Sequence, residues 1–381
     1  MDNLFFDNPF GDELYKSRLR LRDADDTDPR GAYFRDATAI IHSYPFRRLK
    51  HKTQVFFSPE NDHICTRIEH VMHVATVAVT ICRALGLDTD LAWAIGVGHD
   101  LGHAPFGHLG ESILAKKMPR GKEFHHELYS LRVVDTLAGY GEGLNLCFAV
   151  RDGIAMHCGE RFEREIRPRT SDTDPARFNS LSSYPSTWEG CVVRMSDKIA
   201  YMGRDLEDAV LLKIIKKDDI PGVVREVLGA SNSSIIDTLV RDLVSYSMDN
   251  GVIGFSPDVY EATLELVRFN YKKIYKSEQL TAFHEYFERI LNLLHSYLSE
   301  LFSRHNWDVT AYAAEKNRLA RQFGDYVGKM RDVYTRREEE DWVVFDYIAG
   351  MTDDFALRSA QEIMMPGRFS MLFERIYGDD E

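Results

Sequence analysis

Residues 99–108 read His99-Asp100-Leu101-Gly102-His103-Ala104-Pro105-Phe106-Gly107-His108, and residues 67–73 upstream read Arg67-Ile68-Glu69-His70-Val71-Met72-His73. Five of the chain's fourteen histidines fall between positions 70 and 108. Adjacent His99 and Asp100 can both turn toward one ion. Imidazole with carboxylate suits a divalent cation that keeps coordination positions open for water or substrate. On a helix, residues three or four apart share a face, so Arg67 projects a cation beside His70. The glycines and proline after His99 demand a break or tight bends, which leaves His103 and His108 free to face a substrate. Taken singly, each feature reads as structure. A lone histidine on an apolar helix is most often a core or surface residue, Tyr201 alone would be core, and Asp197-Lys198 alone would be a solvated pair. Only their joint occurrence favours chemistry.

Working outward, the chain reads as helical. Residues 64–85 place Ile64, Ile68, Val71, Ala75, Ala78, Val79 and Cys82 at helical spacing, with Gly86 as the stop. Residues 89–100, 188–213 and 280–303 are further helical candidates, and Val252-Ile253-Gly254-Phe255 is at best a short strand. Residues 160–187 are polar and rich in Arg, Ser, Asp and Pro, and loops of that length are usually functional or mobile. In the 280–303 segment, Leu280, Phe283, Phe287, Ile290, Leu291, Leu294, Tyr297, Leu298 and Leu301 form a broad apolar stripe, a feature that is more often core than interface.

Composition bounds the function. A chain of 381 residues with 44% hydrophobic residues can bury a sizeable core. No run approaches the roughly 20 consecutive apolar residues of a membrane span, and the start lacks the pattern of a signal peptide. Cysteines 65, 82, 147, 158 and 191 are scattered. They fit reduced thiols in the cytoplasm better than a disulfide framework. The net charge of −13 repels nucleic acid and anionic membranes, so a polyanion needs a local basic pocket. Candidates are the run Arg47-Arg48-Leu49-Lys50-His51-Lys52 and Arg161, Arg164, Arg167 and Arg169, each equally readable as solvated surface.

Several blocks together resemble the HD-domain deoxynucleoside triphosphate triphosphohydrolases, in particular the bacterial deoxyguanosinetriphosphatase-like branch. They are Arg35-Asp36 with Ile41-His42-Ser43, Phe46-Arg47-Arg48-Leu49 with Lys52-Thr53-Gln54-Val55-Phe56, Thr66-Arg67-x-x-His70, the stretch from His99 to Glu111, and Glu189 to Tyr201 with Asp205-Leu206-Glu207-Asp208. The match runs through residues 33–210 and is diffuse after about 215. Glu69 and Ser196 depart from the commoner residues of the bacterial branch.

The resemblance implies an all-α protein with an N-terminal extension (1–32), an HD-domain catalytic core (33–215) and a C-terminal helical region (216–381). It implies that His70, His99, Asp100 and Asp197 hold one divalent ion, with magnesium or manganese favoured and iron, nickel and zinc allowed. It assigns acid-base chemistry to His108, supported by Glu111, with His103 beside them. Gln54, Arg67, His126, Glu127, Lys198 and Tyr201 fall where the family grips sugar and phosphates. The implied reaction splits a deoxynucleoside triphosphate into deoxynucleoside and inorganic triphosphate. The expected partners are that substrate, an allosteric nucleotide in some members, and further copies of the chain in a dimer-based tetramer or hexamer. The expected compartment is the cytoplasm, with no membrane partner and none indicated among nucleic acids. Rival readings are an HD-type phosphodiesterase on another nucleotide and a non-catalytic nucleotide sensor. Base preference is not legible.

Overall fold

The computed structural model describes residues 6–21, 28–57, 63–121, 123–159, 162–178 and 183–365. The chain is all-α. Among the described residues, one antiparallel ladder pairs Glu165–Ile166 with Ile253–Gly254. The chain divides into two compact units: Met1–His103 with Phe124–Phe283, and Ala104–Glu123 with His284–Glu381.

The first unit is built on helix Arg67–Leu85, which packs against Thr89–Gly98, Trp188–Leu211 and Asn232–Asn250. Its ends follow local chemistry. The Glu69 carboxylate accepts from the Thr66 backbone N–H at 2.8 Å, satisfying a donor that the helix leaves unpaired. Gly86 closes the helix in the left-handed conformation, φ 71°, where a side chain would be strained. Glu69 is thus a helix cap. This helix is long and apolar enough to cross a membrane by length and composition, yet half of its most apolar stretch is buried inside the protein, as a core helix requires.

Thr89–Gly98 lies unusually close to it. A Cβ at Gly96 would sit 2.7 Å from the Ala75 Cα. The same short helix also packs on Gly31–His42 and Phe148–Ala155. A second close approach sets the next turn. A Cβ at Gly102 would lie 2.2 Å from the Ser130 backbone N and 2.6 Å from the His126 carbonyl oxygen. Glycine therefore lets the His99–His103 turn press onto helix His126–Arg132, and the Gly102 N–H donates to Ser130 Oγ at 2.8 Å. The long polar segment is tied down where it is described. Arg169 pairs with Asp152 at 2.5 Å and donates to the Tyr184 carbonyl at 2.8 Å, while Arg151 pairs with Asp135 and Asp174. Arg169 is thus an internal strut. Arg164 pairs with its neighbour Glu165 at the surface. Arg161 lies outside the described residues.

In the second unit, the expected helix 280–303 begins later. The chain forms a short turn of helix, Glu278–Thr281, in the first unit and then the long helix His284–His305 in the second. Phe287, Ile290, Leu291, Leu294, Leu298 and Leu301 are buried. They face helices Gly107–Ala115, Val343–Ala349 and Asp353–Met364. From Phe287 onward the apolar stripe is core, with Tyr297 half-buried, whereas Leu280 is half-buried and Phe283 exposed.

Candidate active site and metal centre

Four helices of the first unit aim donors at one buried point. His70 comes from one turn inside Arg67–Leu85, His99 and Asp100 from the end of Thr89–Gly98, and Asp197 from the middle of Trp188–Leu211. His126 opens helix His126–Arg132. His70 Nε2 lies 3.0 Å from Asp197 Oδ1 and 3.8 Å from Asp100 Oδ2. His99 Nε2 lies 3.5 Å from Asp100 Oδ1 and 3.9 Å from Asp197 Oδ1. One atom each from His70, His99 and Asp197 falls within 4.8 Å of the others, spacing that one cation can satisfy.

The tautomer of His99 is fixed by the fold. Its Nδ1 is 2.7 Å from the Gly96 carbonyl oxygen. A carbonyl only accepts, so Nδ1 carries the proton and Nε2 presents a bare lone pair. That Nε2 is buried and has no hydrogen-bond partner. A backbone tie on one nitrogen and an orphaned lone pair on the other are how metal-bound histidines are held. The donor set of two imidazoles and two carboxylates fits a divalent ion.

Asp100 is the hub. Its Oδ2 accepts from Arg67 at 2.7 Å and its Oδ1 from His103 at 2.9 Å, and His126 Nε2 stands 4.0 Å from that same oxygen. Burial alone would raise its pKa. The neighbouring His103 and His99 and the Arg67 guanidinium outweigh burial and hold the carboxyl well below the usual carboxylate range. Asp197 is likewise held low against burial, by His70. His70 itself moves the other way from what burial would give: the hydrogen bond and charge of Asp197 keep its pKa raised. His103 and His126 stack, ring centroids 3.9 Å apart.

The cations expected to hold phosphate are already paired. Arg67 donates to Asp100 and to the Gln54 carbonyl oxygen. Lys198 Nζ is 3.0 Å from Glu163 Oε2, and the other oxygen of Glu163 receives Arg194 at 2.7 Å. Lys52, from the basic run near the N-terminus, is buried and donates to the His103 carbonyl oxygen. Gln54 Oε1 is buried without a hydrogen-bond partner, an acceptor suited to a hydroxyl. Tyr201 lies one turn from Asp197 on the same helix, and burial raises its phenol pKa.

His108 and Glu111 belong to the second unit, on helix Gly107–Ala115, where His108 Nδ1 is 3.3 Å from Glu111 Oε2. The His108 side chain is 70% exposed. Two residues of the first unit's cluster escaped the sequence reading. Glu163 neutralises Lys198 from within the long polar segment. His157 is fully buried, just past the end of helix Phe148–Ala155, with its ring 4.8 Å from that of His99. A histidine three residues after Ile154 in an apolar run gives no spacing signal.

Residues 67–202 match the HD domain family, and residues 253–362 match the phosphohydrolase-associated domain. A deoxyguanosinetriphosphate triphosphohydrolase-like protein of Caldanaerobacter subterraneus subsp. tengcongensis is 39% identical, covering 94% of this chain and 92% of its own length. The chain belongs to that family. A second relative of the same description, from Desulfatibacillum aliphaticivorans, is 38% identical over 95% of this chain and 96% of its own length. A solved structure of a hypothetical protein from Aquifex aeolicus matches at 16% identity and a TM-score of 0.43, covering 90% of this chain and 71% of that one. HD domains bind divalent metals, and His70, His99, Asp100 and Asp197 lie within the HD match.

Proposed function

We propose that this protein hydrolyses deoxynucleoside triphosphates at the α-phosphorus. Water delivers its oxygen to phosphorus, the bond from phosphorus to the 5′-oxygen breaks, and the products are a deoxynucleoside and intact tripolyphosphate. The observation that carries the reading is the convergence of His70, His99, Asp100 and Asp197, in a chain of this family, with Arg67 against Asp100. A divalent ion held by these four would activate water and draw charge from phosphorus.

The residues around it have separable tasks. Lys198 and Arg67 supply fixed positive charge for phosphoryl oxygens. For Lys198 this means exchanging the Glu163 carboxylate for phosphate. His103 and His126, stacked beside Asp100, offer hydrogen bonds to the same oxygens. The unpartnered Gln54 side-chain oxygen, Oε1, accepts from the sugar 3′-hydroxyl, and Tyr201 packs against the sugar. The place of Glu127 among these residues is supported by the family pattern. His108, oriented by Glu111, protonates the departing 5′-oxygen, an assignment supported by the family pattern. The guanine base in the relatives' name is one substrate option, alongside a broader set of deoxynucleotides. The same family pattern supports a cytoplasmic, dimer-based homo-oligomer that some members regulate with a second nucleotide.

The test is product analysis on a panel of deoxynucleotides and ribonucleotides with manganese or magnesium. Tripolyphosphate from deoxynucleotides supports the reading. A nucleoside monophosphate product, or none, overturns it. Replacing His108 with alanine should lower turnover about 10²–10⁴-fold, the range for one general acid, with substrate binding retained. Turnover within a few-fold of the parent would move the proton to another group.

A further inference from the structure

We infer that the first unit holds a second divalent cation, at His126, Glu127 and His157, beside the one proposed for the HD quartet. The inference rests on the quartet being a metal centre, but not on which nucleotide is cleaved.

His157 is tied exactly as His99 is tied. Its Nδ1 lies 2.7 Å from the Ile154 carbonyl oxygen, three residues back, as His99 Nδ1 lies 2.7 Å from that of Gly96. The carbonyl fixes the proton on Nδ1 and leaves Nε2 as a bare lone pair. That nitrogen is buried and has no hydrogen-bond partner. The chain therefore presents two imidazoles in the same tautomer, held by the same device, with rings 4.8 Å apart. The quartet uses only one of them.

Glu127 supplies the second observation. It is 2% exposed, and its Oε2 has no hydrogen-bond partner. A carboxylate oxygen kept from water without a donor is costly unless a cation or a proton meets it. His126 Nδ1 stands 3.6 Å from that oxygen, beyond a hydrogen bond. One ligand atom each from His126, Glu127 and His157 lies within 4.8 Å of the others. The spacing accommodates a single ion with bonds of about 2.0–2.2 Å. Asp100 adjoins both groups: it shares one such cluster with His99 and His157 and another with His103 and His126. Asp100 thus stands between the two donor sets. Two imidazoles and a carboxylate select manganese, iron or zinc over magnesium, which prefers an all-oxygen shell.

The experiment is a manganese titration of the metal-stripped full-length protein, reading bound metal per chain after desalting and the manganese electron paramagnetic resonance spectrum. The native protein should bind two ions per chain. The six-line spectrum of an isolated ion should broaden at the second equivalent, because neighbouring spins couple. His157→Gln and Glu127→Gln should each bind one ion and keep the isolated-ion spectrum throughout. Retention of that first ion reports that the quartet is still folded. One ion in the native protein, or two in both variants, overturns the inference, whether or not either variant folds well. A native protein that takes up only one ion yet releases tripolyphosphate would refute only the second site. Two ions with no tripolyphosphate would refute only the proposed reaction.

Discussion

Replacing Asp100 with asparagine should destabilise the metal-free protein by about 3–5 kcal/mol, the range for removing one partner of a buried ion pair. The structure says why the loss should be large. Arg67 is 1% exposed, and its guanidinium donates to Asp100 Oδ2 at 2.7 Å. Asparagine keeps one acceptor oxygen but loses the charge, and its amide must then face either Arg67 or His103, whose Nε2 is 2.9 Å from the other carboxylate oxygen. The guanidinium cannot escape to water. Lost charge-assisted hydrogen bonds account for about 1.5–3 kcal/mol, and the rest is the uncompensated buried cation. The control is Asp100→Asn with Arg67→Met. Removing both charges leaves no unpaired ion, and a flexible apolar chain fills similar volume, so the double variant should be more stable than Asp100→Asn alone. Urea midpoints measured in chelator read both, since bound metal would otherwise add its own binding energy to the native state. A loss below about 1 kcal/mol for Asp100→Asn, or a double variant less stable than the single, would show that Arg67 finds other compensation and that Asp100 is not the hub.

Three further outcomes follow from the geometry. Gly96→Ala should destabilise the protein by up to about 2 kcal/mol although alanine is the better helix former by about 1 kcal/mol, because its Cβ would meet the Ala75 backbone and overpacking costs about 1–3 kcal/mol; a raised melting temperature would refute that close approach. Binding of manganese should release a proton, since Asp197 keeps His70 protonated above the ordinary histidine range and a ligand imidazole must be neutral. Affinity should therefore rise with pH through that range, and calorimetry in buffers of different ionisation enthalpy should give no proton release if His70 is not a ligand. Light scattering at micromolar concentration should give a multiple of the 43.8 kDa chain, and a fully active monomer would refute the oligomer.

What could be read from the sequence was whatever chemistry writes locally. Gly86 ends its helix where the apolar spacing stops. His99-Asp100 could be read because adjacent residues at a helix end necessarily lie together. Asp197 needed the family pattern, since nothing local ties it to His70 more than a hundred residues away. His157 and Glu163 stayed hidden for a related reason. Each acquires its meaning from a neighbour on another segment: His157 from His99, Glu163 from Lys198 and Arg194. The break between Thr281 and His284 was invisible because the apolar spacing continues across it. The grouping of Ala104–Glu123 with the distant His284 segment has no compositional mark at all.

The charges of the first unit's cluster connect the two proposals. Asp100, Asp197, Glu127 and Glu163 are four carboxylates, and the permanent cations among them are Arg67, Arg194 and Lys198, each paired with a carboxylate. With His70 protonated, the metal-free cluster is therefore close to neutral, inside a chain of net charge −13. Such a site has no reason to attract a triphosphate. One divalent ion would make it positive even after the His70 proton leaves, and a second would add to that charge while meeting the Glu127 oxygen that lacks a hydrogen-bond partner. On the two proposals, metal would do more than activate water: it would create the local positive field that focuses a polyanion into an otherwise repelling protein. It also makes the exchange at Lys198 feasible, because the Glu163 carboxylate released from the ammonium stays paired with Arg194.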